Sequence, residues 1–259
     1  MSCSELLSTR DGAIATVTLN RPEKRNALTV PMLQAFMAAI REAAASSEVR
    51  VLVVRGAGKT FCAGLDLKDL GLTRRPDGSV AYPEIEESLD ELERCPLPTI
   101  AMMQGEAIAG GLELALHCDL RVAGSGARMG MPLAKIGLVV PFPLIQKLLD
   151  TVGTVKTKEL LFTGALVDAE EACAVGLVTR VVPDVELEAA TLALAADIAA
   201  NAPLSLRTMK AAITEANAFR DPRPSAALAA QSAATLRSED LQEGLRAVFE
   251  KRRAVFRGF

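Results

Sequence analysis

Residues 99–124 read TIAMMQGEAIAGGLELALHCDLRVAG, and this stretch decides the fold class. TIAMMQG (99–105) is an apolar run closed by glycine, the pattern of a buried strand. AGGLELALHC (109–118) spaces its apolar residues as a helix does, and DLRVAG (119–124) returns to strand. Strand, helix and strand in succession give an α/β fold. Gly110 and Gly111 open the helix, and Glu113 is the one carboxylate embedded in it. An acid in a first turn is ordinarily explained by the positive end of the helix dipole. The alternative reading is chemical: the glycines bare backbone N–H groups, and the acid moves a proton beside them.

Working outward, Asp11–Gly12 reads as a hairpin turn, and the alternation in IATVTL (14–19) marks its second strand. The turn NRPEKRN follows, and Thr29 is placed to cap a helix whose first turn tolerates Pro31. VRVLVVRG (49–56) is a β-branched run ended by glycine, hence a buried strand, and GAGKTFCAGLDLKDL reads as a loop entering a helix. Residues 71–84, broken by Pro and Gly, read as a mobile surface segment ahead of the acidic helix EIEESLDELERC (84–95). Asp168 and Glu171 form a capping-box-like start to a helix closed by Gly176. Beyond about residue 185 the pattern is helical, interrupted at Pro203 and at DPRP (221–224). This divides the chain into a catalytic core, residues 1–200, and a helical appendage, residues 201–259, with apolar faces to bury against another subunit.

Composition narrows the function. Among 259 residues half are hydrophobic and the formal net charge is −3, with one Tyr and no Trp. Mild acidity and few stacking platforms argue against nucleic acid as a partner. Five scattered cysteines without a CxxC pair point to neither a zinc site nor a disulfide framework, and fit a reducing cytoplasm. No apolar run approaches the roughly 18 residues of a membrane span, and the N-terminus lacks a secretory pattern.

Three familiar motifs fail on spacing. AGKT (57–60) resembles the end of a P-loop, but Val53 stands where that motif needs glycine. GSGARMG (124–130) places its last glycine one residue too far for a dinucleotide fingerprint and leads into Met131–Pro132. His117 is the only histidine and no G-x-S-x-G elbow is present, so a hydrolase triad and a multi-histidine metal site both lack material. His117 shares a helix face with Glu113, where it either orients the acid or is an ordinary helix residue.

Two segments remain: FCAGLDL (61–67) and AGGLEL (109–114), each placing glycine near a helix entrance after a buried strand. Glycine permits close approach of a ligand to backbone, and first-turn N–H groups lack intrahelical acceptors. Two such donors converging on one carbonyl oxygen would stabilise an enolate. Each segment alone is equally an ordinary glycine turn.

Together, in this order and about 45 residues apart, the segments resemble the signature of the enoyl-CoA hydratase/isomerase (crotonase) superfamily. The likeness extends to NRPEKRNAL (20–28), LPTIAMMQGEAIAGGLELALHCDLRVA (97–123), EACAVGLVTRVVP (171–183) and SEDLQEGLRAVFEKRRAVF (238–256), nearly the whole chain. The resemblance implies a crotonase-like spiral of ββα units with a C-terminal helical oligomerisation region forming homotrimers, often paired into hexamers. It implies an acyl-coenzyme A thioester as substrate, with coenzyme A part of that substrate, and neither a separate cofactor nor a metal. The oxyanion donors would be the N–H groups of Leu65 and Gly110, with Glu113 as acid/base. Ala27, Cys62, Ala63, Gly64, Asp66, Leu67 and Gly111 would line the thioester and adenine sites. Arg25 would lie near the phosphates, and Lys251 would reach a neighbouring subunit's coenzyme A.

The sequence also departs from the family pattern. Hydratases carry a second glutamate in the segment that reads GMPLAKIGLVVPF (130–142) here, and this chain has Leu133 at that place. Another acid position used by some relatives corresponds to Pro141. Adding water needs a base for the water and a proton for the α-carbon, and losing one such group costs about 10²–10⁴ in rate. Hydration would therefore need a substitute acid, for which Glu84, Glu86, Glu87, Asp66 and a bound water are candidates. Double-bond isomerisation needs one shuttling carboxylate, decarboxylation or C–C cleavage of a malonyl-type thioester needs less, and a silent acyl-CoA-binding subunit needs none.

Overall fold

A computed structural model describes residues 4–66, 83–218 and 226–257. Contacts divide the chain into two compact units, one of Met1–Leu65, Pro83–Met129 and Val167–Arg220, the other of Asp66–Tyr82, Gly130–Leu166 and Asp221–Phe259.

The first unit is built on a six-stranded sheet. The predicted hairpin forms from β1 (Leu6–Asp11) and β2 (Ile14–Leu19), paired antiparallel through a turn in which Gly12 takes φ 54°. The predicted 49–56 run begins its ladder two residues later, as β3 (Val51–Gly56), which lies parallel to β2. β4 (Thr99–Met103), β6 (Leu120–Gly124) and β9 (Arg180–Val182) continue the sheet in parallel, giving the order β1-β2-β3-β4-β6-β9. A parallel sheet is covered on both faces, which is why β3 and β4 are apolar at nearly every position. On one face Val51, Val53, Ile100, Met102 and Val122 pack with Leu187, Ala195 and Ala199 of a helix over Leu187–Ala199.

The capped helix is α1 (Val30–Ala45), with the Thr29 hydroxyl accepting from the Met32 amide at 3.3 Å. The acidic helix is α2 (Pro83–Arg94), packed against α1 and tied to it where Arg41 donates to Glu91 at 2.7 Å. The glycine-opened helix is α3 (Gly110–His117). Its far end is closed by Arg121, whose guanidinium donates to the Cys118 carbonyl at 2.9 Å and to Leu177 at 2.8 Å. Asp119 pins that end to β4 by accepting from the Thr99 amide (2.7 Å) and from Lys210 (2.7 Å) on a helix over Pro203–Ala218.

Alternation of apolar residues left three short strands without a signal. β5 (Glu106–Ile108), β7 (Arg128–Gly130) and β8 (Leu166–Asp168) form a second sheet in the order β5-β7-β8. Three residues are too few to display a period of two, so these strands are tertiary products. The predicted cap at Asp168 forms, its carboxylate accepting from Glu171 N–H at 2.8 Å, and the helix Ala169–Ala174 ends near Gly176 at φ 80°.

The second unit carries a 3-10 turn over Pro132–Ile136, a long helix over Phe142–Thr163 broken at Gly153, and helices over Ala226–Thr235 and Glu239–Phe249. Gly244 packs so closely on the turn that a Cβ there would stand 2.3 Å from the Ile136 carbonyl oxygen. A cavity of about 680 Å³ in this unit is lined by Ala134, Leu138, Arg237, Asp240 and Phe256 among others. Residues 71–82 and the DPRP break lie outside the described residues, as do the side chain of Glu84 and any helix after Asp66. Among the described residues no single helix is long and apolar enough to cross a membrane.

Candidate active site

The site starts in the NRPEKRNAL turn. Arg25 and Asn26 both adopt left-handed conformations, φ 52° and 54°, which turns the Asn26 side chain inward. That side chain is fully buried. Its amide donates to the carbonyls of Thr60 (2.7 Å), Ala57 (2.9 Å) and Phe61 (3.2 Å), and its Oδ1 accepts from the Arg21 amide (2.9 Å). One short polar side chain thus shapes the loop that enters FCAGL. Its neighbours extend the clamp: Ala63 N–H donates to the Arg25 carbonyl at 3.0 Å, and Leu28 N–H to the Gly64 carbonyl at 2.8 Å. Ala27 accepts from the Arg21 guanidinium at 2.8 Å. Nothing in sequence spacing marked Asn26; only αL tolerance at a turn hinted at its place.

Residues 61–66 are not helical, and isolated bridges join Cys62 to Ala107 and Leu65 to Leu28. The second bridge orients the Leu65 amide. Across a trans peptide the N–H points opposite to the preceding carbonyl. The Gly64 carbonyl faces Leu28, so Leu65 N–H faces away from it. Gly64 itself takes φ +92°, where a side chain would be strained, and a Cβ there would stand 2.9 Å from the Ile108 oxygen and 3.1 Å from the Gly110 nitrogen.

The second amide is aimed by strain. Ala109, the N-cap of α3, sits at φ 50°, ψ −120°, a conformation ordinarily left to glycine. Its carbonyl accepts from Glu113 N–H at 3.0 Å and so points along the helix. The Gly110 N–H on the same peptide therefore points out of the helix end. A Cβ on Gly110 would lie 3.5 Å from the Leu65 nitrogen, and one on Gly111 would overlap the Cys62 carbonyl at 2.1 Å. The two glycines let α3 press its open end onto the 62–65 segment. Among the described residues neither the Leu65 nor the Gly110 amide has an acceptor. The backbone at Gly64–Leu65 and the backbone at Gly110 therefore lie close together.

Glu113 stands in the first turn of α3, half-buried. Burial is the chief reason its pKa rises from 4.5 to about 7, with the charge of Glu86 adding to it. His117, buried on the same helix face, places Nδ1 2.8 Å from the Glu113 backbone carbonyl and Nε2 3.6 Å from Glu93.

The remaining predicted residues divide. Cys62 is buried, its thiol 3.2 Å from the Asn26 carbonyl and 3.4 Å from Gly64 N–H, and burial pushes it up to about 12, which makes it a packing group. Arg25 is exposed and reaches Glu106 at 3.4 Å. Asp66 is half-buried at the end of the described segment, and Leu67 lies outside the described residues. Leu133 and Pro141 belong to the second unit, in the 132–136 turn and at the N-cap of the 142–163 helix. Lys251 follows the last helix, exposed at φ 54°, and none of these three lines the 680 Å³ cavity. Among the described residues no group of three or more His, Cys, Asp or Glu is arranged to hold a metal ion.

A model of one protein family, enoyl-CoA hydratase/isomerase, matches residues 9–258. The chain belongs to the enoyl-CoA hydratase/isomerase family. It is 34% identical over 260 residues to the short-chain-enoyl-CoA hydratase of Clostridium acetobutylicum, covering 98% of this chain and 97% of that one. Among solved structures it resembles a methylmalonyl-CoA decarboxylase in complex with 2-nitronate-propionyl-CoA, with TM-score 0.92, 27% identity and complete coverage of both chains. An enoyl-CoA hydratase/carnithine racemase from Magnetospirillum magneticum is 36% identical with TM-score 0.76, covering 100% of this chain and 97% of that one. As a member of the enoyl-CoA hydratase/isomerase family, the chain is an acyl-CoA-processing enzyme with the mixed α/β crotonase fold and C-terminal helices.

Proposed function

We propose that this family member hydrates a 2-enoyl-CoA thioester, or shifts a double bond along one, with the thioester oxygen held between the N–H groups of Leu65 and Gly110. The supporting observation is the close approach of the Gly64–Leu65 backbone to Gly110, both amides lacking an acceptor among the described residues, at the helix end whose first turn carries Glu113. When water adds at the β-carbon, negative charge collects on the carbonyl oxygen. Donors already fixed at that position stabilise it without reorganisation, and removing one costs about 3–4 kcal/mol of transition-state stabilisation. Glu113, poised near pH 7, both accepts and returns a proton under ordinary conditions. In this reading the backbone of residues 62–67 holds the adenine, Arg25 serves the phosphates, Lys251 reaches a neighbouring subunit's coenzyme A, and the chain works as a trimer or a pair of trimers in the cytoplasm. The chemistry is carried by the thioester itself, with no further cofactor.

A second reading, decarboxylation of a malonyl-type thioester, is favoured by the 0.92 TM-score to the decarboxylase and by Leu133 at the place of a hydratase glutamate. Loss of CO₂ generates the same enolate. Incubation with crotonyl-, 3-enoyl- and methylmalonyl-CoA, read by loss of enoyl absorbance and by mass, separates the readings. Hydration or isomerisation abolished by Glu113→Gln, with thioester binding retained, is the expected result. CO₂ release alone would replace it with the second reading, and binding without turnover would leave a silent acyl-CoA binder.

A further inference from the structure

The missing acid at Leu133 has a replacement candidate in the first unit, and the packing of α2 on α3 selects it. Two contacts fix how these helices lie: Ile85 Cδ1 stands 3.3 Å from where a Cβ on Gly110 would be, and Glu93 stands 3.6 Å from His117. Early residues of α2 therefore face early residues of α3, and late face late. Glu86 and Glu93 are seven apart, two helical turns, and so share the stripe of α2 turned to α3. Glu113 and His117 are four apart and share the answering stripe.

Of the acids of α2 whose side chains are described, Glu87, Asp90 and Glu91 point elsewhere. Glu91 bonds Arg41 of α1 at 2.7 Å, and Glu87, one turn before it, faces the same arginine: Arg41's pKa is raised chiefly by the Glu91 hydrogen bond and also by Glu87. Asp90 pairs with Arg94 at 3.6 Å in solvent. Glu86 is exposed, and it is the carboxylate whose charge Glu113 feels. Glu86 and Glu113 thus lie on facing stripes of neighbouring helices, and the charge of Glu86 adds to the larger effect of burial in raising the Glu113 pKa.

We propose, resting on the acyl-CoA reading above, that Glu86 is the second proton-transfer group, opposite Glu113, and does the work that the family's glutamate at position 133 would have done. The water oxygen bonds to the β-carbon while its proton passes to the carboxylate of the pair. The protonated partner gives its proton to the α-carbon as the enolate collapses. One carboxylate and one carboxylic acid remain, with roles exchanged, so protons balance and no further reactant is needed.

The test compares wild type with Glu86→Gln, Glu86→Asp, Glu87→Gln and Glu113→Gln in crotonyl-CoA hydration, with folding checked by thermal melting. We expect Glu86→Gln to lower kcat by about 10²–10⁴-fold while KM stays within about threefold, since one general acid or base is lost and the thioester contacts are not. Glu86→Asp should recover part of kcat, and Glu87→Gln should match wild type. A Glu86→Gln enzyme within about threefold of an active, Glu113-dependent wild type overturns the role of Glu86 and leaves the acyl-CoA reading standing. Absence of turnover in wild type itself, with Glu113→Gln indistinguishable from it, overturns both.

Discussion

At the scale of single residues, Glu113 is held at a cost to the fold. Its pKa of about 7 lies above the 4.5 of the unfolded chain, and burial is the main cause. Between those pH values the folded protein keeps a proton that the unfolded chain has released, so stability falls as pH rises through the window. A displacement of this size corresponds to about 3 kcal/mol, fully expressed by pH 8 and absent below pH 4. Glu113→Gln removes the charge but keeps the shape. The variant should therefore melt several degrees above wild type at pH 8, at about 2–4 °C per kcal/mol for a chain of this size, and close to it at pH 4. An equal gap at both pH values would show that desolvation of the carboxylate is not what the fold tolerates for function. Ala109, at φ 50° and ψ −120°, is strained at the peptide that orients Gly110 N–H.

At the scale of elements, the site depends on a bridged segment and a helix end that are far apart in sequence, and Asn26 joins the turn before both to the loop that leads to Leu65. Its side chain makes four hydrogen bonds in a fully buried position. Asn26→Ala leaves three carbonyls and one amide without that partner. The loss should be about 3 kcal/mol in a denaturant titration, more than a surface polar deletion, because unmade buried bonds carry the full desolvation penalty. The Leu65 amide should drift with the loop, and kcat/KM toward crotonyl-CoA should fall by at least about tenfold, as an ångström of misplacement is costly to an oriented donor. Stability lost with kcat/KM intact would mean that the 62–65 segment is positioned independently of Asn26.

At the scale of the whole molecule, the chain exposes apolar side chains that water alone does not explain. In the first unit Leu204, Met209 and Ile213 of the helix over Pro203–Ala218 are 77%, 53% and 64% exposed. In the second, Phe249 and Phe256 are exposed. Met209 and Ile213, four apart, share one face of their helix, and exposed apolar patches mark association surfaces. Sedimentation of the purified protein should return three or six times the 27.4-kDa chain mass, and a monomer at micromolar concentration would remove the oligomeric part of the proposed function.

Much of this was readable in order along the chain. The β-branched run gave β3, the apolar run closed by glycine gave β4, alternation gave β2, and Thr29, Asp168 and Gly110–Gly111 marked helix starts, because burial and capping impose residue types at fixed spacing. The family signature reached nearly every predicted site position for the same reason. What the sequence left open were contacts made across distance: the three-residue strands β5, β7 and β8, the burial of Asn26 under three carbonyls, the non-helical state of residues 61–66, and which acid of the 84–95 helix faces Glu113. Those depend on where helices and loops come to rest against one another, and no local spacing encodes the partner that a side chain meets from another element. Residue chemistry was therefore set by the sequence alone, while the close approach of residues 64–65 to Gly110 and the placing of α2 against α3 were decided by packing.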